Sequence, residues 1–191
     1  MITSEHAQIR ATEPDDAPAL FALYDIRSPH AALLDQRREP LMPTLAELRE
    51  MLGMKETVNN VFFTVEDRTG VIRGFCLLRG MNQETGFGEM SLLFHEAATL
   101  AQPLAEEALA FACNRGFDRM RMNKMVSNCL EGETELRDFL SGHGFISDGV
   151  QREVLFSQGR WHNLESLSLY RDVWTASRAA PASASKDSVS P

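Results

Sequence analysis

The chain has no long apolar run and few cysteines or large aromatic residues. Its 191 residues include three cysteines, two tryptophans and two tyrosines. No segment approaches the roughly 20 apolar residues that a membrane-spanning helix needs, so we expect no membrane partner. Residues 1–6 also lack the basic region and apolar core of a secretory signal. These absences predict a cytoplasmic location.

The cysteines do not form a recognisable pattern. Cys76, Cys113 and Cys129 are odd in number, far apart and outside the spacings of metal-ligand motifs. We therefore expect reduced thiols in a reducing compartment and no metal site.

Positive charge is also scarce. The chain has 19 Lys and Arg residues against 27 Asp and Glu, a net charge of -8. This balance argues against non-specific binding of nucleic acid and is compatible with a cationic substrate.

The apolar content, 43%, is sufficient for one domain with a hydrophobic core. We place this domain at residues 1–174. Residues 175–191 are rich in Ala, Ser and Pro and contain no large apolar residue beyond Val189. That composition predicts a disordered tail.

A strand followed by a helix lies at the centre of the pattern. Residues 87–94 are extended and apolar, and residues 102–115 change to helical spacing, with Gly116 at a position that favours a left-handed residue. A strand that leads into a helix N-terminus can offer main-chain N–H groups to a phosphate.

The rest of the chain alternates between strands and helices. Glu13 and Pro14 begin a first helix, Thr44 and Glu47 form a capping box for a second, and residues 133–141 form a short later one. Residues 28–43 form a loop. The other predicted strands are residues 8–12, 60–65, 71–78, 119–126, 150–156 and 164–170. This order predicts an α/β fold, a mixed sheet with helices on both faces.

Three stretches in this order resemble the GNAT superfamily of N-acetyltransferases. They are GFDRMRM at residues 116–122, SGHGF and DGVQR within residues 141–152, and SQGRWHN through SLYRDVW within residues 157–174. The resemblance is closest to the branch that acetylates ribosomal-protein N-termini and polyamines. It covers most of residues 8–174.

The resemblance implies that acetyl-CoA lies between the fourth and fifth strands, where an amine attacks its thioester directly. Main-chain groups near Ser91, Leu92 and Leu93 would contact the co-substrate and the developing oxyanion. The acceptor would be a small-molecule amine or a protein N-terminus. Members of the family often pair through their last strands, so a homodimer is also implied.

The chain departs from the family at the diphosphate loop. The positions of the family's glycines are taken by Ala101 and Pro103, and proline has no N–H to donate. Two interpretations stay open: Pro103 simply begins the helix, or a shifted phosphate site survives with side-chain donors from Thr99 or Gln102. In either case CoA binding would be weakened or rearranged.

The acid site also differs, because Leu140 takes the position of the family's proton-donating Tyr. Asn128 fits the family's asparagine only if a few residues are inserted after it. Glu89, on the fourth strand, is the candidate general base, and the alternative is an exposed strand residue paired with a cation. The function therefore has two candidates: an acetyl-CoA-dependent N-acetyltransferase, or a non-catalytic binding module of the same fold.

Overall fold

The computed structural model describes residues 1–24, 43–54, 60–157 and 159–179. It contains an eight-stranded sheet in the order β1-β2-β3-β4-β5-β6-β8-β7. The strands are β1 (Ile2–Thr3), β2 (Ala7–Ala11), β3 (Val61–Asp67), β4 (Ile72–Asn82), β5 (Phe87–Phe94), β6 (Lys124–Leu130), β7 (Ile146–Ser157) and β8 (Arg160–Tyr170). Neighbouring strands are antiparallel except β5 and β6, which run parallel.

Helices cover both faces of this sheet, as predicted. They are α1 (Ala17–Ala22), α2 (Leu45–Gly53), α3 (Pro103–Asn114), α4 (Thr134–Gly142) and α5 (Arg171–Ala179). Side chains alternate along a strand, so Phe75 and Leu77 pack with α1 and α2 on one face. Cys76 and Leu78 point to the other face and pack in the larger core with α3 and α4.

The capping box predicted for α2 is confirmed. The Thr44 hydroxyl accepts a hydrogen bond from the Glu47 N–H at 3.2 Å, and the Glu47 carboxylate accepts one from the Thr44 N–H at 2.6 Å. The loop predicted for residues 28–43 lies outside the described residues, apart from Pro43.

The strand predicted for residues 119–126 was wrong. The chain continues from α3 through a π-helical turn, Arg115–Arg119, and passes through Arg121 in the left-handed region with a φ of 62°. Met120 and Met122 are both buried in this irregular segment, so their alternation with arginine imitates a half-buried strand. Strand β6 begins only at Lys124 and continues to Leu130.

Gly116 does not take the left-handed conformation predicted for it. It lies within the π-helical turn, and its value to the fold is its size: a Cβ there would lie 2.1 Å from Sδ of the buried Met125. The left-handed glycine at a helix end is Gly144, with a φ of 89°, which follows α4.

The C-terminal end of the domain is longer than predicted. Helix α5 includes residues 175–179, which composition places in a disordered tail, and its Trp174 is buried against the main core. The Trp174 indole N–H donates to Asn114 Oδ1 at 3.2 Å. Residues 180–191 lie outside the described residues.

Candidate active site

The parallel strands β5 and β6 separate along their length. Their register contains only three pairs, the last of which joins Glu89 to Val126. Beyond this pair β5 continues beside β4, and β6 continues beside β8. The space between residues 90–94 and residues 127–130 is therefore a cleft within the sheet, which we name the β5–β6 cleft.

Hydrogen bonds at both ends of β5 show which main-chain groups face this cleft. Gly86 O accepts from Lys124 N at 2.9 Å on the β6 side, whereas His95 N donates to Arg73 O at 3.0 Å on the β4 side. The β4–β5 register is continuous over residues 89–94. Because successive residues of a strand point their main-chain groups to opposite neighbours, the main chain of Leu92 faces the cleft.

Among the three residues predicted to contact the co-substrate, Leu92 is thus the one whose N–H and C=O point into the cleft. The main-chain groups of Ser91 and Leu93 face β4 instead. Met90 and Phe94 share the orientation of Leu92. The Ser91 side chain is half-buried, and its hydroxyl accepts a hydrogen bond from Arg79 at 3.4 Å.

A cavity of about 410 Å³ lies at the point where the strands separate. We name it the Glu89 cavity. Its polar wall is formed by side chains from four strands: Glu89, Lys124, Asn128, Asp148, Gln151 and Ser166. The carboxylate predicted as the base is therefore at the mouth of the cleft.

The Glu89 carboxylate is half-buried and makes no hydrogen bond or ion pair within the part of the chain that the structure describes. Lys124 shares the cavity, but its Nζ lies 2.6 Å from Asp148 Oδ2 and 5.4 Å from the centre of the Tyr170 ring. The hydrogen bond to Lys124, aided by that from Ser168, holds the pKa of Asp148 below its usual range, and the same bond raises the pKa of Lys124. The alternative of a cation-paired Glu89 therefore finds no support among the described residues.

Asn128 lies on β6, in the part of that strand beyond the predicted end at residue 126. Its Oδ1 accepts a hydrogen bond from the Ser166 hydroxyl at 2.8 Å. This bond fixes the orientation of the amide, so its NH₂ group is the end available to a ligand in the Glu89 cavity.

The segment before α3 forms a 3-10 helix, Ala97–Ala101, rather than an open phosphate loop. Gln102 N donates to Thr99 O at 3.0 Å, and Ala105 N donates to Gln102 O at 3.0 Å. Pro103 is the first residue of α3. Pro103 therefore begins a helix, as the simpler of the two interpretations expects, and a shifted phosphate site stays a prediction.

The residues predicted as phosphate donors do not converge at this end. Thr99 is 3% exposed, so its hydroxyl is not offered at the surface. Ala101 and Gln102 are exposed, and the Gln102 side chain makes no capping hydrogen bond to α3. Ala101 also lacks the positive φ of a glycine loop.

Leu140, which takes the position of the family's proton donor, is fully buried in the main core. The nearest hydroxyl considered, that of Thr134, donates to the Glu135 carboxylate at 3.2 Å. His95 is structural: its Nε2–H donates to Ala19 O at 2.9 Å and ties the end of β5 to α1. None of the described residues forms a cluster suited to a metal ion.

Sequence reasoning did not identify Lys124, Asp148, Gln151 or Ser166 as part of the site. Asp148 and Gln151 lie inside the DGVQR segment, and Ser166 lies between Glu165 and Leu167 of the last strand. The family resemblance of the DGVQR segment assigned no function to these residues. They are brought close to Glu89 only because β8 pairs with both β6 and β7.

An acetyl-CoA molecule fits this site in one part and not in another. The main-chain groups of Met90, Leu92 and Phe94 have no strand partner on the cleft side among the described residues. Together with the Asn128 amide, they match the peptide-like pantetheine arm. The start of α3 does not match a diphosphate, because one donor is missing at Pro103 and two others are bonded within the segment.

Comparisons with known proteins agree with the architecture. The chain has the fold of a spermidine N-acetyltransferase from Vibrio cholerae determined in complex with CoA and spermine, with a TM-score of 0.75 at 16% identity over 88% of this chain and 98% of that one. The spermidine/spermine N-acetyltransferase SpeG from Vibrio cholerae, in complex with manganese ions, gives a TM-score of 0.73 at 17% identity over 92% and 98%. A search of curated proteins finds no match.

The splayed parallel strands and these likenesses define the fold of an N-acetyltransferase. The model of the acetyltransferase (GNAT) domain family matches residues 7–146, so the chain belongs to this family. It is accordingly an N-acetyltransferase with acetyl-CoA as its co-substrate. None of the described helices is long and apolar enough to cross a membrane.

Proposed function

We propose that the chain transfers the acetyl group of acetyl-CoA to a primary amine of a small di- or polyamine. The observation that carries this proposal is the carboxylate of Glu89 at the mouth of the β5–β6 cleft, which has no charge partner among the described residues. A charged amine is attracted to such a group, and the net charge of -8 favours the approach of a cation. The likeness to spermidine N-acetyltransferases supports the same class of acceptor.

Glu89 would act first as an anchor and then as the proton acceptor. An aliphatic amine is an ammonium ion near neutral pH and cannot attack a carbonyl carbon until it loses a proton. The Glu89 carboxylate, directly or through one water molecule, takes that proton. Lys124 does not compete for Glu89, because Asp148 and the Tyr170 ring already hold it.

Acetyl-CoA supplies the acetyl thioester. As the new C–N bond forms and the C–S bond breaks, negative charge develops on the carbonyl oxygen. The main-chain N–H groups that face the cleft, those of Met90 and Leu92, would donate to that oxygen. Because Leu140 cannot provide a proton, a water molecule passes to the leaving thiolate the second proton, which the attacking nitrogen loses as the amide forms.

A protein N-terminus is the competing acceptor, and a panel of acceptors separates the two. The purified full chain is incubated with acetyl-CoA and with spermidine, putrescine, a peptide with a free α-amino group and its N-acetylated control, and release of CoA thiol is followed. We expect the di- and polyamines to be acetylated with a kcat/KM at least about tenfold above that of the peptide. A peptide that is the better acceptor would contradict the proposed substrate class.

The non-catalytic alternative draws on the replaced diphosphate loop. Thermal unfolding with and without acetyl-CoA tests it, since a ligand at about a hundredfold its Kd that binds only the native state adds about 2.7 kcal/mol. If the chain is an enzyme, we expect acetyl-CoA to raise Tm and the amines to be acetylated. A shift without turnover over the whole amine panel would instead assign the chain to the binding modules.

We also infer that two copies of the chain associate through the β7–β8 hairpin. β7 is an edge strand of the sheet. Four large apolar side chains of the hairpin are exposed: Ile146, Val150, Phe156 and Trp161. Sedimentation velocity of wild-type protein and of Trp161→Ser tests this; a wild-type chain that sediments as a monomer at micromolar concentration would refute it.

A further inference from the structure

We propose that this enzyme holds its acetyl donor by the pantetheine arm, and that the 3′-phospho-ADP part of acetyl-CoA contributes little to binding. The inference rests on the proposed function and specifies which part of the donor this chain recognises. Its consequence is a donor class: acetyl thioesters of pantetheine and phosphopantetheine should serve about as well as acetyl-CoA.

The first observation is the use of main-chain N–H groups before α3. A diphosphate cradle needs successive N–H groups that point outward and have no partner in the protein. Here Thr99 N donates to Glu96 O, Gln102 N to Thr99 O and Ala105 N to Gln102 O, each at 3.0 Å. Pro103 has no N–H at all. Three of the donors are therefore already occupied, and a fourth is missing at Pro103.

The second observation is the charge of this segment. No lysine or arginine occurs from His95 to Asn114, whereas Glu96 and Glu106 are exposed. The phosphates of CoA carry several negative charges, and carboxylates beside them would repel rather than bind them. Neither side-chain carboxylate has a hydrogen-bond or ion-pair partner among the described residues, so no cation offsets their charge there.

The third observation is that the pantetheine side of the site is intact. The main-chain groups of Leu92 and Phe94 face the β5–β6 cleft, and β6 has turned away from them toward β8. A pantetheine arm contains two amide groups, so it can take the place of the missing strand. The Asn128 amide, held by Ser166 at 2.8 Å, offers one more donor to it.

Titration calorimetry on the full chain tests the proposal with three probes: CoA, 4′-phosphopantetheine and pantetheine. We expect their Kd values to agree within about threefold, which is less than about 1 kcal/mol. We also expect the Kd for CoA to change by less than about threefold between about 20 mM and about 300 mM NaCl, because few phosphate contacts are available for screening. CoA binding more than about tenfold tighter than pantetheine would overturn the inference and leave the proposed function standing. Failure of all three probes to bind would overturn the proposed function and, with it, this inference.

Two variants locate the contacts. Asn128→Ala should weaken all three probes by a similar factor, because the contact lies in the part that they share. Gln102→Ala, the matched control at the start of α3, should change none of them by more than about twofold. A Gln102→Ala variant that loses affinity for CoA but not for pantetheine would show a phosphate site at α3 and contradict the proposal.

Amide NMR gives a readout that depends on neither activity nor substitution. Addition of pantetheine should shift the amide resonances of Leu92 and Phe94 more than those of Ser91 and Leu93, whose main-chain groups face β4. Shifts confined to the segment from Ala97 to Pro103 would overturn the assignment.

Discussion

Lys124 Nζ lies 2.6 Å from Asp148 Oδ2, across the wall of the cavity in which Glu89 has no described partner. The two residues come from β6 and β7, which are separated in the sheet by β8. Their pairing removes the one lysine of the Glu89 cavity from competition with a substrate cation. Among the residues that the structure describes, Glu89 is therefore the one carboxylate of this cavity without a charge partner, and an incoming amine would meet it.

Replacement of that carboxylate should remove catalysis without unfolding the protein. For Glu89→Gln we expect kcat/KM for the best amine to fall about a hundredfold or more, the usual contribution of a positioned proton acceptor. Tm should stay within a few degrees of wild type. Steady-state kinetics and thermal unfolding measure both, with the exposed Glu84→Gln as the matched control. Unchanged turnover in Glu89→Gln would remove Glu89 from the mechanism.

The Lys124–Asp148 pair predicts effects of opposite sign on the KM for the amine. Asp148→Asn frees Lys124 to approach Glu89, so KM should rise about fivefold, as expected for a partly exposed charge worth about 1 kcal/mol. Lys124→Met leaves an additional carboxylate in the cavity, so KM should stay the same or fall. KM for acetyl-CoA should change little in either variant. Equal increases in the amine KM would contradict the electrostatic account.

A buried ion-pair network predicts a pH-dependent contribution to stability. Burial alone would raise the pKa of Asp16, but hydrogen bonds from Arg10, the Glu13 N–H and Thr64 outweigh it, so the pKa lies below its usual range. A carboxyl of this kind stabilises the fold above its unfolded pKa of about 3.9, and the contribution is lost as pH falls through the lowered folded value.

The measurement is denaturant unfolding of wild type, Asp16→Asn and the exposed control Asp15→Asn. At about pH 7 we expect Asp16→Asn to lower the free energy of unfolding by about 3 kcal/mol, since it leaves the partly buried Arg10 incompletely paired. The difference from wild type should shrink below about pH 4. A difference that is constant over the whole pH range would refute the assignment.

Two glycines in helical turns should respond oppositely to alanine. At Gly116 the new Cβ would lie 2.1 Å from Met125 Sδ in a fully buried site. At Gly142, apart from the adjoining residues and the helix's own backbone, no described atom lies within 4 Å of the new Cβ. We expect Gly116→Ala to lower the free energy of unfolding by about 1–3 kcal/mol through overpacking. Gly142→Ala should raise it by about 0.5–1 kcal/mol, because alanine is the better helix residue. Chemical denaturation measures the free energy of unfolding of each variant. If both substitutions stabilised the protein, the packing argument at Gly116 would be contradicted.

The three thiols should be unreactive in the native protein. Cys76, Cys113 and Cys129 are free and buried, and burial raises the pKa of Cys76 and of Cys129 to about 12 each. We therefore expect little labelling by a thiol reagent at neutral pH until denaturant is added, when all three should react. Rapid labelling of the native chain would show that one of them is accessible.

Elements with a strong local signal could be predicted from the sequence. Pro103 at the start of α3 and the Thr44–Glu47 capping box depend on bonds within a few residues, and both were found where predicted. The segment around Met120 and Met122 could not be predicted, because alternation of apolar and basic residues is equally produced by an irregular turn whose methionines both enter the core.

The site could be predicted only in part. Glu89 was located because its strand was recognised, but the partners of Lys124 were not. Nor could the sequence separate Leu92 from Ser91 and Leu93, since which main-chain groups face the cleft depends on the hydrogen-bond register between β5 and its two neighbours.

The sequence by itself determined the family, the mixed sheet with helices on both faces, and the loss of an N–H donor at Pro103, because each follows from residue types in a local order. Only the tertiary structure decided that Lys124 pairs with Asp148 and leaves Glu89 without a described partner. That outcome depends on strands distant in sequence lying side by side, and on β5 and β6 separating after Glu89 and Val126.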